Sequence, residues 1–261
     1  MFLVDSHCHL DLLNYTSIHS DLNDVIKKSE SKGIKLILTV STSIKNFCDL
    51  LHFIKNNNKI LLSCGIHPCN IPKNKNDISK LKQYATSNKV HAIGETGLDY
   101  ISTHDKKSQQ ILFRKHIRIA KKLNKPLLVH TRKAINDTIN ILKEENTTSN
   151  KVIFHSFTEN IHFAKILLDM GFYISFSGIV TFKNANIVRE TAKFVPIENM
   201  LIETDSPYLS PVPYRGKENQ PAYLYKTTSF ISKLKKIDPD NFSQQTTKNF
   251  LKLFNYSLNS L

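Results

Sequence analysis

The chain has 261 residues, 40% of them hydrophobic, a length that suits one large barrel or two ordinary domains. No low-complexity or Pro/Gly-rich linker divides it, so we predict a single domain over residues 1–261. The formal net charge of +14 is compatible with an anionic partner, but only five of the 36 basic residues are Arg. Because the lysines are dispersed over predicted helix surfaces, the charge alone does not establish a nucleic-acid partner.

The cysteines and the apolar runs exclude several classes of protein. Cys8, Cys48, Cys64 and Cys69 form neither a CxxC pair nor a dense disulfide framework. The first residues lack a basic segment followed by an apolar core, and no stretch reaches the roughly 18 apolar residues of a membrane span. We therefore predict a cytoplasmic monomer that does not bind membranes.

Eight short apolar runs, each followed by a residue with metal or phosphate chemistry, are the most informative pattern in the chain. We predict that each run is a buried β-strand. The runs are Phe2–Val4, Lys35–Val40, Ile60–Cys64, His91–Ile93, Leu127–Val129, Val152–Phe154, Phe172–Phe176 and Met200–Ile202. The residues just beyond them are, in order, His7 and His9, Ser41, His67, Glu95, His130, His155, Ser177 and Asp205.

Amphipathic helical patterns separate most of these runs. The clearest is Asp105–Leu123, where apolar residues recur every three or four positions until Pro126 stops the pattern. The repeated order of strand, ligand and helix predicts an α/β fold, a (β/α)8 TIM barrel with the metal site at the carboxyl ends of the strands. A doubly wound open sheet is the alternative, but it would gather ligands at one switch point. The other predicted helices are Ser20–Lys32, Asn46–Ile54, Ala134–Leu142, Ile161–Met170, Ala185–Phe194, Tyr223–Leu234 and Ser243–Phe254.

The residues that follow the strands are of types that bind divalent metal ions. His7 and His9 are two residues apart, so on an extended chain both imidazoles face the same side and can reach one ion. Taken alone, each of the others has an ordinary structural explanation, such as a hydrogen-bonded core histidine or a turn cap. Their common position after strands predicts instead that they meet at one mouth of the barrel. The predicted metal ligands are His7, His9, Glu95, His130, His155 and Asp205.

Several longer segments resemble the TatD family of metal-dependent hydrolases, within the amidohydrolase-like barrels. Their order and spacing match along nearly the full length, and the last segment is by itself highly specific. The segments are DSHCHLD at 5–11, GIHP at 65–68, IGETGLDY at 93–100, KPLLVHTRKA at 125–134, SFSGIVTFKNA at 175–185 and ETDSPYLSPVPYRGKENQPAYL at 203–224. The resemblance implies hydrolysis of phosphodiester bonds in DNA, often from the 3′ end, with single-stranded DNA or 3′ ends as the substrate.

The same resemblance implies a site that holds two divalent metal ions, which we expect to be Zn, Mn or Mg. Two departures from the family pattern concern the surroundings of the site. Residues 155–160 read HSFTEN, where the family usually has His-Cys-Phe-Ser/Thr-Gly, and Ile101 stands where a second Tyr is common. The implied ligand sets are His7, His9 and Asp205 for one ion and His130 and His155 for the other, with Glu95 as the bridge.

Other residues near the predicted mouth suit the handling of a phosphate. Arg132 and Arg215 carry planar guanidinium groups that bind phosphate with two prongs, and we place Arg132 at the start of the helix after His130. His67 is predicted to hydrogen-bond a phosphate oxygen or to brace its loop. Glu203, two residues before Asp205, is predicted to orient a ligand histidine.

The predicted mechanism assigns Asp205 or a neighbouring carboxylate to accept a proton from the attacking water. His67 and Arg132 then offset charge on the phosphoryl oxygens, and Glu95 holds the metal ions. Base stacking on Tyr100, Tyr208 and Tyr214 is a further hypothesis, with core packing as the alternative for each ring.

Two other functions remain open at the level of sequence. A barrel hydrolase that acts on an aminoacyl ester, a lactone or a small amide could use the same metal-activated water. A nucleic-acid-binding protein without activity is the third class, and the complete ligand set argues against it. Many related barrels use a carbamylated lysine as the bridging ligand, whereas here Glu95 occupies that place, which favours the deoxyribonuclease.

Overall fold

Eight parallel strands form one sheet whose order around the fold is the order of the sequence. The structure is a computed structural model that describes residues 2–55, 57–72, 76–102, 105–147 and 151–257. The first and last strands meet through side-chain and loop contacts, including the Ser6 hydroxyl, which donates to the Ile202 carbonyl at 3.0 Å. The predicted (β/α)8 barrel is therefore confirmed as a nearly closed barrel with helices outside it.

The strands agree with the eight predicted runs, but several are longer than the apolar residues alone. As a consequence, His7, Glu95, His130 and Arg132 lie within the ends of strands and not beyond them. The placement of Arg132 at the start of a helix was wrong, because it is the last residue of the fifth strand. The strands are β1 Leu3–Cys8, β2 Ile34–Thr39, β3 Ile60–Cys64, β4 Val90–Asp99, β5 Leu127–Arg132, β6 Val152–Phe154, β7 Tyr173–Phe176 and β8 Met200–Ile202.

The helices include one that the pattern did not predict, Asn76–Ala85. The apolar face of this helix is narrow, because only Leu81 and Ala85 are buried and lysines interrupt the apolar pattern. The last helix begins at Pro239, earlier than predicted, because the Asp238 side chain caps it by accepting from the backbone N–H groups of residues 240 and 241. The helices are α1 Leu22–Glu30, α2 Ile44–Ile54, α3 Asn76–Ala85, α4 Lys106–Leu123, α5 Ile135–Glu144, α6 Ile161–Asp169, α7 Asn186–Phe194, α8 Leu224–Lys235 and α9 Pro239–Phe254.

The interior of the barrel is a packed core and not a channel. Alternate strand residues face inward and form one apolar cluster, while their neighbours pack against the helices. Phe250 and Leu253 of α9 join the inner cluster, and Asn249 of the same helix donates to the Ile197 and Met200 carbonyls at 2.7 and 2.9 Å. Within the described residues, no helix is both long and apolar enough to cross a bilayer. The inward-facing strand residues are Val4, Leu36, Leu38, Leu61, Ala92, Leu128, Ile153, Tyr173 and Leu201.

Glycine lets β4 approach β5 closely at the end that carries the predicted ligands. Gly97 has a φ of +139°, and a Cβ at this position would overlap the His130 carbonyl oxygen. Gly97 pairs with His130 in the sheet register, so any larger residue would push the two strands apart. The glycine therefore sets the spacing between the strand of Glu95 and the strand of His130.

His116 is a buried histidine of α4 that supports the loop before His67. Its Nδ1 donates to the Leu112 carbonyl at 2.9 Å, and its Nε2 accepts from the Ile66 N–H at 3.0 Å. The ring is fully buried, and burial lowers the pKa of His116 to about 4. It is therefore a neutral core histidine that connects the outer helix to the β3 loop.

We predict that His116 makes stability fall as the solution becomes more acidic. Below pH 6.5 the unfolded chain binds a proton at His116 that the folded chain excludes until about pH 4. The free energy of unfolding should therefore drop between pH 6.5 and 4, by up to about 3 kcal/mol from this group. His116→Gln offers an amide donor and an amide acceptor at this position and does not titrate. Urea unfolding at several pH values should show the wild type losing stability relative to His116→Gln over this range, and a constant difference would contradict the assignment.

Candidate active site

The six predicted metal ligands lie together at the carboxyl end of the barrel. His7 is in β1, Glu95 in β4 and His130 in β5, while His155 directly follows β6. Most of them line a cavity of about 460 Å³, and His7 lies beneath it without solvent exposure. His9 and Asp205 complete the group from the loops after β1 and β8. Residues almost 200 positions apart in the sequence are therefore brought into one cluster.

Glu95 occupies the centre of this cluster, and its two carboxylate oxygens face different histidines. Its Oε1 lies 2.9 Å from His155 Nε2, 3.0 Å from His130 Nδ1 and 3.4 Å from His67 Nε2. Its Oε2 lies 3.5 Å from His7 Nε2 and 3.8 Å from His9 Nε2. The carboxylate thus separates two groups of nitrogen atoms.

Asp205 adds a second carboxylate to the group around Oε2 of Glu95. Its Oδ1 lies 3.6 Å from the Nε2 atoms of both His7 and His9. The Asp205 backbone N–H donates to the His7 carbonyl at 2.9 Å, which fixes the loop after β8 against β1. His7, His9, Glu95 and Asp205 therefore surround one small volume.

The donor atoms fit divalent cations. Ligand atoms about 2.1 Å from a tetrahedral ion lie about 3.4 Å from one another, which is close to the spacings found here. Among the described residues, neither ring nitrogen of the buried His7 has a hydrogen-bond partner, although buried polar atoms are normally paired. Imidazole nitrogen and carboxylate oxygen are donors that suit such ions. Two of the three possible cation clusters share Glu95, one with His7 and His9 and one with His67 and His130.

The comparisons with known proteins agree with this arrangement. The family described as TatD related DNase matches residues 4–255. An uncharacterized metal-dependent hydrolase of Buchnera aphidicola subsp. Baizongia pistaciae is 68% identical over 256 residues, which cover 98% of this chain and 97% of that protein. The uncharacterized metal-dependent hydrolase YcfH of Escherichia coli K12 is 46% identical and covers 100% of this chain and 98% of its own length.

The chain belongs to the TatD family.

It is a metal-dependent hydrolase, as the residues and motifs predicted. The crystal structure of YjjV, a TatD homolog from Escherichia coli K12, has the same fold, with a TM-score of 0.90 at 24% identity over 98% of both chains. That likeness supports the fold of the barrel and not its substrate.

Two further carboxylates lie behind the histidines of this TatD site. Glu203 Oε1 is 3.3 Å from His155 Nδ1, the contact that the sequence predicted. Asp99 Oδ2 is 3.3 Å from His130 Nε2, and this residue was missed. Its Oδ1 also accepts from the backbone N–H groups of Ile101 and Ser102, so the same side chain caps the turn after β4. A carboxylate behind a histidine orients the ring and makes its other nitrogen a better ligand.

Burial and the neighbouring ionisable groups together set the pKa values in the cluster. Burial opposes ionisation of Glu95, but His155 and His67 hold the pKa of its carboxyl well below the usual range. Burial likewise opposes ionisation of Asp205, and the hydrogen bond with His9 lowers the pKa of Asp205 overall. Burial lowers the pKa of His7, which keeps this ring neutral. The carboxylates are therefore ionised, and His7 is in the form that binds a metal.

The remaining predicted residues occupy different parts of the site. His67 lies within the cluster beside Glu95, and its Nδ1 accepts from the Cys69 N–H at 3.1 Å. Arg132 lines the cavity with a side chain that is 59% exposed, and its nearest guanidinium nitrogen is 3.9 Å from Asp99 Oδ2. Arg215 does not line the cavity but stacks on Phe182.

Of the three tyrosines proposed for base stacking, one lines the cavity. Tyr208 is 53% exposed, and its ring lies edge-on to His9 with 6.0 Å between the centroids. Tyr100 donates its hydroxyl to Asp137 at 2.6 Å, and Tyr214 stacks on Tyr223 at 3.8 Å. Only Tyr208 therefore presents a free ring to the cavity among these three.

The divergent segment after His155 keeps the histidine in place by contacts of its own. The Ser156 hydroxyl lies 2.9 Å from that of Ser177, and Ser156 adopts a φ of +43°. Asn160 caps α6 by accepting from the Phe163 N–H. Glu159, which stands where the family usually has glycine, is not among the described residues with a positive φ, so the backbone there does not require glycine.

We predict that Glu95 is required for metal retention. Glu95→Ala removes both central oxygens, so the bound metal per chain should fall sharply and hydrolysis should fall with it. Glu159→Ala is the control, since Glu159 lies in the same half of the barrel without contacting the cluster. Metal analysis after dialysis and turnover on a chromogenic phosphodiester are the measurements. Wild-type occupancy and turnover in Glu95→Ala would refute the bridging role.

Proposed function

We propose that this TatD protein is a deoxyribonuclease that removes nucleotides from the 3′ end of single-stranded DNA. The proposal rests on the position of Glu95, because its two carboxylate oxygens face two separate groups of donor atoms. Such a carboxylate suits a pair of divalent ions, Zn, Mn or Mg, that share one bridging ligand. His7, His9 and Asp205 would hold one ion, and His130 and His155 the other.

The charge of such a site favours an anionic substrate. Over the six proposed ligands, four neutral imidazoles and two carboxylates leave a net charge of +2 when two dications are bound. Arg132 adds a further positive charge at the wall of the cavity. A phosphodiester carries one negative charge at the reacting phosphorus, so it complements the site better than a neutral ester or amide does.

The two ions would supply a water of lowered pKa and would polarise the phosphoryl group. Asp205 is the best placed base, because its side chain is 13% exposed towards the cavity while that of Glu95 is 4% exposed. Its carboxylate is ionised, so one of its oxygens accepts the proton that the attacking water loses.

Arg132 and His67 would act on the phosphoryl oxygens from opposite sides. Arg132 projects from the end of β5 and is free to turn into the cavity, because its contact with Asp99 is long. His67 reaches the cavity from the loop after β3, with its Nδ1 fixed by the Cys69 N–H. Both side chains can therefore place donors where negative charge develops in the transition state.

The experiment that tests the proposal compares three substrates on protein loaded with Mg²⁺, Mn²⁺ or Zn²⁺. They are 3′-labelled single-stranded DNA, a chromogenic phosphodiester and an aminoacyl ester. Release of labelled mononucleotide from the first, blocked by a phosphorothioate at the terminal linkage, is the expected result. Turnover of the aminoacyl ester alone would replace the proposal with the non-nucleic-acid hydrolase.

We predict that Arg132 acts through the geometry of its guanidinium and not through its charge alone. Arg132→Lys keeps the charge but loses the two-pronged contact, and such a hydrogen bond is worth roughly 1.5–3 kcal/mol. The value of kcat/KM on DNA should fall by roughly one to two orders of magnitude, with metal content unchanged. Lys133→Gln, which removes a neighbouring exposed charge, is the control. Wild-type rates for Arg132→Lys across a salt titration would make Arg132 a surface charge only.

A further inference from the structure

Arg215 is held flat against an aromatic ring at the rim of the barrel. Its guanidinium carbon lies 3.8 Å from the centroid of the Phe182 ring. Phe182 directly follows the short turn Gly178–Thr181 after β7, and Arg215 lies in the loop between β8 and α8. Both loops leave the carboxyl ends of their strands, which is the end of the barrel that carries Glu95 and Asp205.

Among the described residues, Arg215 is the one arginine with neither an ion pair nor a side-chain hydrogen bond. Within the described ranges, no carboxylate lies at ion-pair distance from Arg215, and its side chain donates no hydrogen bond. Stacking occupies one face of the guanidinium and leaves its N–H groups available to a ligand, and the residue is exposed. The other four arginines are engaged: Arg114 and Arg118 with Glu145, Arg132 with Asp99, and Arg189 with the carbonyls of Phe182 and Lys183.

The part of the β8–α8 loop that carries Arg215 is fixed to the part that carries Asp205. Asn219 has no solvent exposure, and its Nδ2 donates to the Thr204 and Tyr208 carbonyls at 2.8 and 2.6 Å. The Val212 N–H donates to the Thr181 hydroxyl at 2.9 Å, which joins this loop to the turn before Phe182. Arg215 therefore has a set position relative to the metal cluster.

Exposed apolar side chains lie on the same loop, between Asp205 and Arg215 in the sequence. Tyr208 is 53% exposed and Val212 is 48% exposed. Bases stack on exposed rings, and phosphates bind guanidinium groups. Tyr208 and Arg215 together therefore match a single-stranded polynucleotide. An acidic peptide would use the charge but would leave the apolar surface without a partner.

We propose that Arg215 binds a backbone phosphate of a single-stranded polynucleotide, away from the phosphate that is cleaved. The inference rests on the proposed function, which it extends from the reacting bond to the length of the substrate. Phe182 is a positioning residue that holds one face of the guanidinium and limits the rotation of the side chain. The enzyme should therefore prefer polymeric substrates to small phosphodiesters of the same reactivity.

The test compares Arg215→Gln with the wild type on substrates of increasing length, with the metal-loaded protein. On single-stranded oligonucleotides the KM should rise about tenfold with kcat unchanged, whereas turnover of a chromogenic phosphodiester should not change. Oligonucleotide binding, measured by fluorescence anisotropy without metal, should become less dependent on salt. The number of counterions released on binding should fall by about one. Lys217→Gln removes an exposed charge from the same loop and should leave the KM within about twofold. Phe182→Leu should give an intermediate rise in KM, because the charge remains but its orientation is lost.

Several results would overturn the inference. An equal loss on the oligonucleotides and the small phosphodiester would mean that Arg215 acts on the reacting group or on the fold of the loop. Equal effects of Arg215→Gln and Lys217→Gln would reduce the site to general surface charge. If Arg215→Gln weakened the binding of an oligoglutamate peptide as much as the binding of DNA, the site would be one for acidic chains in general. Absence of phosphodiester hydrolysis in the wild type, with oligonucleotide binding that still depends on Arg215, would refute the proposed function and leave this inference standing.

Discussion

A carboxylate with almost no access to water stays ionised only when polar and positive groups surround it, and Glu95 imposes this requirement on the whole site. Three histidines face one of its oxygens and two face the other. Without such neighbours, burial would protonate the carboxyl and remove its capacity to bind cations. The positions of five histidines are thus tied to the placement of one acidic side chain.

The barrel meets this requirement by bringing strand ends together at fixed distances. Gly97 allows β4 to lie close to β5, and His116 fixes the backbone beside His67 from outside the sheet. The apolar interior closes the opposite end, so polar side chains collect only where the strands finish. The same packing that stabilises the fold therefore leaves one polar mouth.

A second set of carboxylates gives the histidines their orientation. Asp99 lies behind His130 and Glu203 behind His155, each at 3.3 Å from the ring nitrogen that faces away from Glu95. His130 and His155 are consequently each held between two carboxylates. One is the central Glu95, and the other is Asp99 for His130 and Glu203 for His155. This arrangement determines which nitrogen is directed into the cluster.

The sequence by itself predicted the eight strands, most of the helices, the family and the residue types of the site. It could do so because strand burial and helix amphipathicity are local patterns, and because the ligands stand at the ends of the apolar runs. It did not predict α3, whose buried stripe is only two residues wide, nor the extension of β5 through Arg132. Three features became visible only in the tertiary structure. They are the position of Glu95 between two groups of histidines, the contact of Asp99 with His130 and the stacking of Arg215 on Phe182. Each of these joins residues from different strands or loops, and such contacts depend on sheet register and loop packing, which local sequence does not encode.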